Sequence, residues 1–192
     1  VYDGDGVWDA RLSDKDTKLI HYLAKHGHWS PFSHCFLTFR IKAPIFVARQ
    51  LQKHQVGLSW NEVSRRYVDS EPEFYVPDGW RKRADNVKQG SSDETVTDPL
   101  LQWYFQDAQS YAKHVYNILL SKGVCPEQAR MVLPQSMMTE WYWSGSLYAF
   151  ARVCKLRLDP HAQQETREVA KQIAEHCKQH FPVSWEALLN DN

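Results

Sequence analysis

The sequence predicts an α+β fold, a small mixed sheet packed with several helices, and three observations carry that reading. Apolar residues recur every three or four positions through most of the chain, the period of a helix with one buried face. Three segments rich in β-branched and aromatic residues interrupt that pattern, "SHCFLTFRI", "SRRYV" and "SMMTEWYWSGS". They lie far apart in the chain, so any pairing between them is non-local, as α+β folds require.

Taken in order, Ser13 with Asp16 three residues on forms a capping-box pattern, which opens a helix through Leu19, Ile20, Tyr22 and Leu23 that stops at Gly27. A strand is expected from about His34 to Ile41, ended by Pro44, and "PIFVARQLQKH" reads as a helix with proline in its first turn. The stretch Lys53 to Tyr67 leaves that helix as a loop, with "SRRYV" as a short strand at its end. Residues 70–96, rich in Pro, Asp, Gly and Ser, are expected to form a long surface loop. The segment "PLLQWYFQDAQSYAKHVYNILLSKG" has the strongest helical period in the chain and closes at Gly123. "CPEQARMVLP" reads as a short helix, "SMMTEWYWSGS" as a strand, and "LYAFARVCKLRL" and "DPHAQQETREVAKQIAEHCKQHF" as two further helices.

The bounds set by composition narrow the function classes. A chain of 192 residues, 43% hydrophobic, is long enough for one core, and a single domain over 1–192 is expected. Lys+Arg and Asp+Glu balance at 23 each, which argues against a broad basic nucleic-acid face and makes any anion site local. No apolar run suits a membrane span and no leader pattern precedes the first helix, so a cytoplasmic protein without membrane contact is expected. The chain begins with Val1 rather than Met, so its natural N-terminus is expected to be missing or processed. Cys35, Cys125, Cys154 and Cys177 form no CxxC, which predicts reduced thiols serving as small core residues. HExxH spacing is absent and no catalytic metal is expected; Gly4-Asp5-Gly6 is too short for a phosphate loop. Three consecutive aromatics, Trp141, Tyr142 and Trp143, are expected to divide between a core face and an interface.

The stretch "KHQVGLSWNEVSRRY", residues 53–67, holds the densest chemistry. Ser64, Arg65 and Arg66 offer the hydroxyl and guanidinium donors that a phosphate monoester needs, and Asn61 with Glu62 can orient a sugar hydroxyl or a base edge. The same residues also suit an exposed polar loop. His28 and His34 around "WSPFS", and His161 after Pro160, are equally readable as structural polar groups.

The stretch resembles the signature of the flavin-dependent thymidylate synthases, in which RHR is followed by seven residues and SxR. Here it stands as Lys53-His54-Gln55, eight residues that include Asn61-Glu62, then Ser64-Arg65-Arg66-Tyr67. "HGHWSPFSHCFLTFRIKAPIFVARQ", "ARMVLPQSMMTEWYW" and "RLDPHAQQE" are similar to other segments of that family. The resemblance implies the family's fold and its reaction: methylation of dUMP at C5 to dTMP, with methylene-tetrahydrofolate, FAD, and NADPH as reductant, in a homotetramer whose sites are shared between subunits. By position it implies that Gln50, Lys53, Glu62, Ser64, Arg65, Arg66 and Arg130 surround dUMP, and that Arg157 contacts the uracil and acts in catalysis. It likewise implies that His28, Ser30, His54, Gln55, Ser146, Tyr148, Arg152 and His161 line the flavin.

The departures fall mainly on the flavin side. Lysine and glutamine replace the two motif arginines, the loop is one residue longer, and Ser146, Tyr148 and Arg152 stand where Asn, Arg and Asn are usual; the N-terminal AxRVS-like segment is also absent. Two alternatives stay open: hydroxymethylation of dUMP or a related pyrimidine nucleotide, and a non-catalytic nucleotide- or flavin-binding homologue.

Overall fold

A strand turns successive side chains to opposite faces, and this rule fixes the centre of the molecule. Trp141 and Trp143 are fully buried while Tyr142 between them is 51% exposed. The computed structural model describes residues 12–85 and 90–190, so Gly4-Asp5-Gly6 and the N-terminal segment lie outside the described residues. The tryptophans sit on β5 (Met138–Ser146), the central strand of a three-stranded sheet ordered β1-β5-β2. β1 (Phe36–Pro44) pairs antiparallel along its whole length, from Phe36 opposite Ser146 to Pro44 opposite Met138. On the other side β2 (Leu58–Glu62) pairs antiparallel, with Leu58 opposite Gly145 and Glu62 opposite Trp141. β1 and β2 therefore point the same way with β5 between them, which requires a crossover connection. The segment carrying α3 (Ile45–Leu51) supplies it.

One face of this sheet is covered by helices. α6 (Leu147–Arg157) follows β5 without a loop, because Ser146 ends the strand and caps the helix, its Oγ accepting the Ala149 N–H at 3.2 Å. Phe150 on α6 lies edge-on to Phe39 at 4.9 Å and to Trp143 at 5.4 Å, and Trp60 stacks on Trp141 at 4.3 Å. α7 (Gln164–His180) and α8 (Pro182–Asn190) complete the layer with buried Ile173, Cys177, Trp185 and Leu188. α1 (Asp14–Lys25) packs on α8 and carries the expected capping box, with Ser13 N–H donating to Asp16 at 3.0 Å and Asp16 N–H to Ser13 Oγ at 3.2 Å. The short α2 (Ser30–Ser33) precedes β1. A two-stranded ribbon, β3 (Arg81–Arg83) with β4 (Ser91–Thr95), leads into α4 (Leu100–Ser121), α5 (Pro126–Ala129) and a 3-10 turn at Arg130–Val132.

Several expectations are corrected. "SRRYV" is no strand: Ser64 to Tyr67 form a turn closed by the Tyr67 N–H on the Ser64 carbonyl at 3.2 Å. The strand lies just before it, where Leu58 and Trp60 alternate with exposed Ser59 and Asn61 and thus have a face to bury. Residues 70–96 are more than a loop, since they hold β3 and β4 and a bridge from Phe74 to Met137. β1 starts after His34 and runs through to Pro44, which stands outside α3 as its N-cap. The helix expected from Asp159 begins at Gln164, because the Asp159 carboxylate accepts the His161 N–H at 2.7 Å and closes a turn of its own. α8 was not anticipated. Of the four thiols, Cys154 and Cys177 are buried in the core and burial pushes both up, Cys177 to about 12, whereas Cys125 is exposed. No helix among the described residues is long and apolar enough to cross a membrane.

The closeness of β2 to β5 yields a test. A Cβ on Gly145 would lie 2.6 Å from the Gly57 carbonyl oxygen and 2.5 Å from Leu58 Cδ2. Gly145→Ala is therefore expected to destabilise the protein by about 1–3 kcal/mol, the usual cost of overpacking. Thermal unfolding checks this, and an unchanged midpoint would contradict the close pairing of the two strands.

Candidate active site

β2 sets the geometry of the site. At about 3.3 Å per residue its five residues span roughly 16 Å, with Lys53, His54 and Gln55 before its start and Ser64, Arg65 and Arg66 beyond its end. The two halves of the 53–67 stretch thus face different clefts.

The first cleft, of about 770 Å³, gathers Glu62, Ser64, Arg65, Arg66 and Arg130, with Met131, Met137 and Met138 on its wall. Glu62 is held from both sides, accepting the Thr139 hydroxyl at 2.7 Å on Oε1 and the Trp60 indole N–H at 3.2 Å on Oε2. Arg66 donates from Nε to Ser64 Oγ at 3.2 Å, and its guanidinium lies 5.0 Å from the centre of the Tyr67 ring. Arg65 donates to the Ser70 carbonyl at 2.5 Å, and Arg130 to the Glu127 carbonyl at 3.2 Å. These bonds fix the side chains through neutral acceptors and leave their positive charge uncompensated by any ion pair among the described residues. Three such guanidiniums offer the donors that suit an anion, and of the carboxylates on the same wall Glu71, Glu73 and Glu140 are paired with Lys113, Lys42 and Arg40.

The second cleft lies behind α3. About 560 Å³ is lined by Arg49, Gln50, Lys53, Arg157 and Gln163, and an adjoining 600 Å³ brings Arg157 and Gln163 together with His161 and Arg81. Arg157 is fixed at two points, donating from Nε to His54 Nε2 at 2.9 Å and from Nη2 to the Gln50 carbonyl at 3.2 Å. Because the guanidinium only donates, His54 Nε2 must accept, so the imidazole is neutral and carries its proton on Nδ1. Its surroundings agree: burial, then the charges of Arg157 and Arg152, hold the His54 pKa below the ordinary histidine value. Burial also lowers the Arg157 pKa. The Gln50 amide is occupied, donating to Gln163 and accepting the buried Thr166 hydroxyl at 3.2 Å. A small cleft of about 180 Å³ on the far side of Lys53 is bounded by His54, Gln55 and Arg152, with Val56, Leu58 and Ala149 as apolar walls.

Of the remaining expected residues, His28, Ser30, Ser146 and Tyr148 line none of these clefts. His28 and Ser30 flank the start of α2, where Trp29 lies 6.2 Å from Tyr148. Tyr148 and Arg152 stand one turn apart on α6, which links this corner to the small cleft. Ser146 is buried and its hydroxyl is used as the helix cap. His161 contacts Asp159 through Nδ1 at 2.9 Å, and hydrogen bonds from the His161 backbone and ring hold the Asp159 carboxyl below its usual range. His176 and His180 stand one helical turn apart on α7, but no group of three metal-ligating side chains occurs among the described residues.

Sequence reasoning missed Arg81. It donates to both Glu165 oxygens at 2.8 and 3.0 Å, to Gln164 at 3.0 Å and to Ser91 Oγ at 2.8 Å, tying the β3–β4 ribbon to the start of α7 beside Gln163. Nothing in "WRKRAD" distinguishes this arginine from its neighbour Arg83; only the fold brings Glu165 to it.

Comparison with known proteins gives a consistent result. A family model described as thymidylate synthase complementing protein matches residues 4–183. A flavin-dependent thymidylate synthase of Thermus thermophilus is 42% identical over 185 residues, covering 96% of this chain and 67% of that protein. One from Thermosipho africanus is 42% identical over 189 residues, covering 97% of this chain and 81% of that protein. Among solved structures, the UMP/dUMP methylase PolB from Streptomyces cacaoi, bound with 5-Br dUMP, superposes with a TM-score of 0.81 at 31% identity, covering 96% of this chain and 82% of that one.

The Arg157–His54 contact predicts a titration. The folded protein resists protonating His54 while the unfolded chain accepts a proton near 6.5, so His54 contributes a loss of stability as pH falls below about 6.5. Arg157→Gln removes the neighbouring charge and is expected to move the His54 midpoint upward and flatten that loss. An NMR titration of the imidazole protons reads both; an unshifted midpoint in the variant would contradict the contact.

Proposed function

We propose, because this chain belongs to the thymidylate synthase complementing family of flavin-dependent thymidylate synthases, that its two clefts are the two halves of one dUMP site contributed by different subunits of a homotetramer. The chain is a methyltransferase that methylates dUMP at C5, a flavin-dependent enzyme. Its carbon donor is methylene-tetrahydrofolate, its flavin is FAD and its reductant is NADPH. The whole chain acts as a single domain. Four unpaired thiols suit the reducing cytoplasm, where we place it.

The observation that carries this reading is the placement of cationic groups at both ends of β2. In the first cleft Arg66, Ser64 and Arg130 take the phosphate, Arg65 adds charge, and Glu62, already oriented by Thr139 and Trp60, accepts from a sugar hydroxyl. In the second, Gln50 and Lys53 border the base, and Arg157 aims a preset guanidinium at a pyrimidine carbonyl. There it stabilises negative charge as C5 becomes nucleophilic. His54 and Gln50 fix Arg157 before substrate arrives, so little reorganisation is needed at the moment of reaction. No cysteine lines either cleft, so carbon transfer proceeds without a thiolate attacking the ring.

The residues present fit a flavin dinucleotide. Lys53 and Arg152 offer cations for a diphosphate beside the apolar wall of Val56, Leu58 and Ala149, with His54, Gln55 and His161 adjoining. His28, Ser30 and Tyr148 extend the same side, and Ser146 contributes through the helix it caps. A cleft of about 180 Å³ is too small to enclose the cofactor, so a neighbouring subunit completes the wall. FAD supplies the redox chemistry when bound.

Purified protein with FAD, dUMP, methylene-tetrahydrofolate and NADPH is expected to form dTMP, identified by mass. A product heavier by one oxygen would establish hydroxymethylation instead; no product under saturating conditions, with UMP failing in parallel, would overturn the reading.

Arg66→Ala is expected to weaken dUMP binding by about 1.5–3 kcal/mol, the range for a hydrogen bond to a charged group, while the fold and the flavin absorption persist. Arg66→Lys should recover part of the loss, since an ammonium cannot reproduce the planar fork. Calorimetric titration checks this. Unchanged affinity with reduced thermal stability would make Arg66 a structural residue.

A further inference from the structure

The two ends of a glutamine amide have the same shape and opposite hydrogen-bonding sense, so the groups around the amide decide which end points where. Gln50 borders both parts of the second cleft. Its Nε2 donates to Gln163 Oε1, and its Oε1 accepts the hydroxyl of the fully buried Thr166 at 3.2 Å. An amide carries two N–H donors and two lone pairs, so one of each is left for the cleft. A hydroxyl can donate or accept, and Thr166 therefore cannot set the direction of this amide.

The direction is set from the other side, through Gln163. The Gln163 side chain donates to the carboxylate of Glu165 at the start of α7. An ionised carboxylate only accepts. Gln163 must therefore turn its nitrogen to Glu165 and its oxygen to Gln50, which answers with its own nitrogen. Burial works to raise the Glu165 pKa, but hydrogen bonds from its own backbone N–H, from Arg81 and from Gln163 outweigh burial and hold the carboxyl below its usual range. Arg81 also fixes where the carboxylate lies, donating to its two oxygens at 2.8 and 3.0 Å, with the Glu165 side chain only 11% exposed. The chain of donors and acceptors from Arg81 to Gln50 thus runs in one sense only.

We infer that Glu165, held by Arg81, is a positioning residue for base specificity: through Gln163 it fixes the Gln50 amide so that the second cleft accepts uracil and rejects cytosine. The inference rests on the reading of this cleft as the base end of a dUMP site. Arg157 needs only a carbonyl, and both bases have one at C2. They differ at N3 and C4, where uracil presents a donor and then an acceptor and cytosine presents the reverse. The free lone pair and N–H of a fixed amide match one of these edges, and the same amide turned over matches the other. A fixed amide therefore discriminates, because the wrong base leaves polar groups facing their own kind. An amide free to turn does not.

The test compares dUMP with dCMP, which differ only at that edge of the base, by calorimetric titration of the flavin-loaded full chain. The parent protein is expected to prefer dUMP. Glu165→Gln keeps the shape of the side chain, but Arg81 can only donate and claims the remaining oxygen, so an N–H is turned to Gln163. The amides of Gln163 and Gln50 are then free to turn over, and the preference for dUMP is expected to narrow by about tenfold, the scale of one mispaired polar group. Exchanging the two groups, Gln163→Glu together with Glu165→Gln, again sets an acceptor-only side chain against Gln50 and is expected to restore the parent ratio, which a merely structural role would not do. An unchanged ratio in folded Glu165→Gln would overturn the inference and leave the dUMP reading standing, as would a parent protein that binds dCMP as tightly as dUMP. A parent that binds neither nucleotide would overturn the dUMP reading and the inference with it. If Glu165→Gln fails to fold, the exchanged pair decides: the parent ratio supports the inference, and a narrowed ratio or a second failure to fold overturns it.

Discussion

The pairing of β5 on both its edges is the constraint from which the rest follows. Because β1 and β2 flank the same strand antiparallel, they run in one direction, and the chain between them must cross the sheet through α3. That crossover delivers Gln50, Lys53 and His54 to one end of β2. The same strand then carries the chain to Glu62, Ser64 and Arg66 at the other. A compact run of fifteen residues is thereby pulled apart, and its two halves line separate clefts. β5 also leads directly into α6, so Arg152 and Arg157 are positioned by the strand whose tryptophans form the core.

Much of this was legible where local physics and tertiary packing agree. The capping box at Ser13 and Asp16, the alternation around Trp141 and Trp143, and the long period of α4 each specify an element whatever surrounds it. Other features depend on contacts between distant segments. Leu58 and Trp60 become a strand because β5 offers an edge, and their alternation is too short to outweigh the Gly57 turn and the polar residues around it. β3 and β4 form only two strands in a Pro- and Gly-rich excursion, and Arg81 gains its role from Glu165 on α7. The clustering of Ser64, Arg65 and Arg66 was readable, as was their suitability for an anion. The resemblance assigns His54 to the flavin and Arg157 to the uracil, and only the fold brings the two side chains into contact.

The departures around the motif histidine fit this geometry. Where the family carries two arginines around the motif histidine, this chain has Lys53 and Gln55. Arg152, one turn beyond Tyr148 on α6, stands beside the same cleft and contributes to keeping His54 neutral. Positive charge is thus retained near His54, from Lys53 on the loop and from Arg152 on the helix. An ammonium at Lys53 places a more mobile point charge there than a guanidinium fork would. The neutrality of His54 leaves Arg157 with an acceptor instead of a repelling cation, which lets a half-buried guanidinium hold its direction.

The central claim, that one functional site combines the Arg66 cleft of one chain with the Arg157 cleft of another, is tested most directly by subunit complementation. Arg66→Ala and Arg157→Ala chains are unfolded together, refolded as an equal mixture and assayed for dTMP formation at a dUMP concentration too low to occupy the Arg66→Ala site. Random assembly of composite sites predicts recovery to about a quarter of wild-type activity, because half the chains supply each intact cleft. Activity no higher than that of the separately refolded variants, in a mixture shown to contain hybrid oligomers, would place both clefts' functions within one chain and contradict the account.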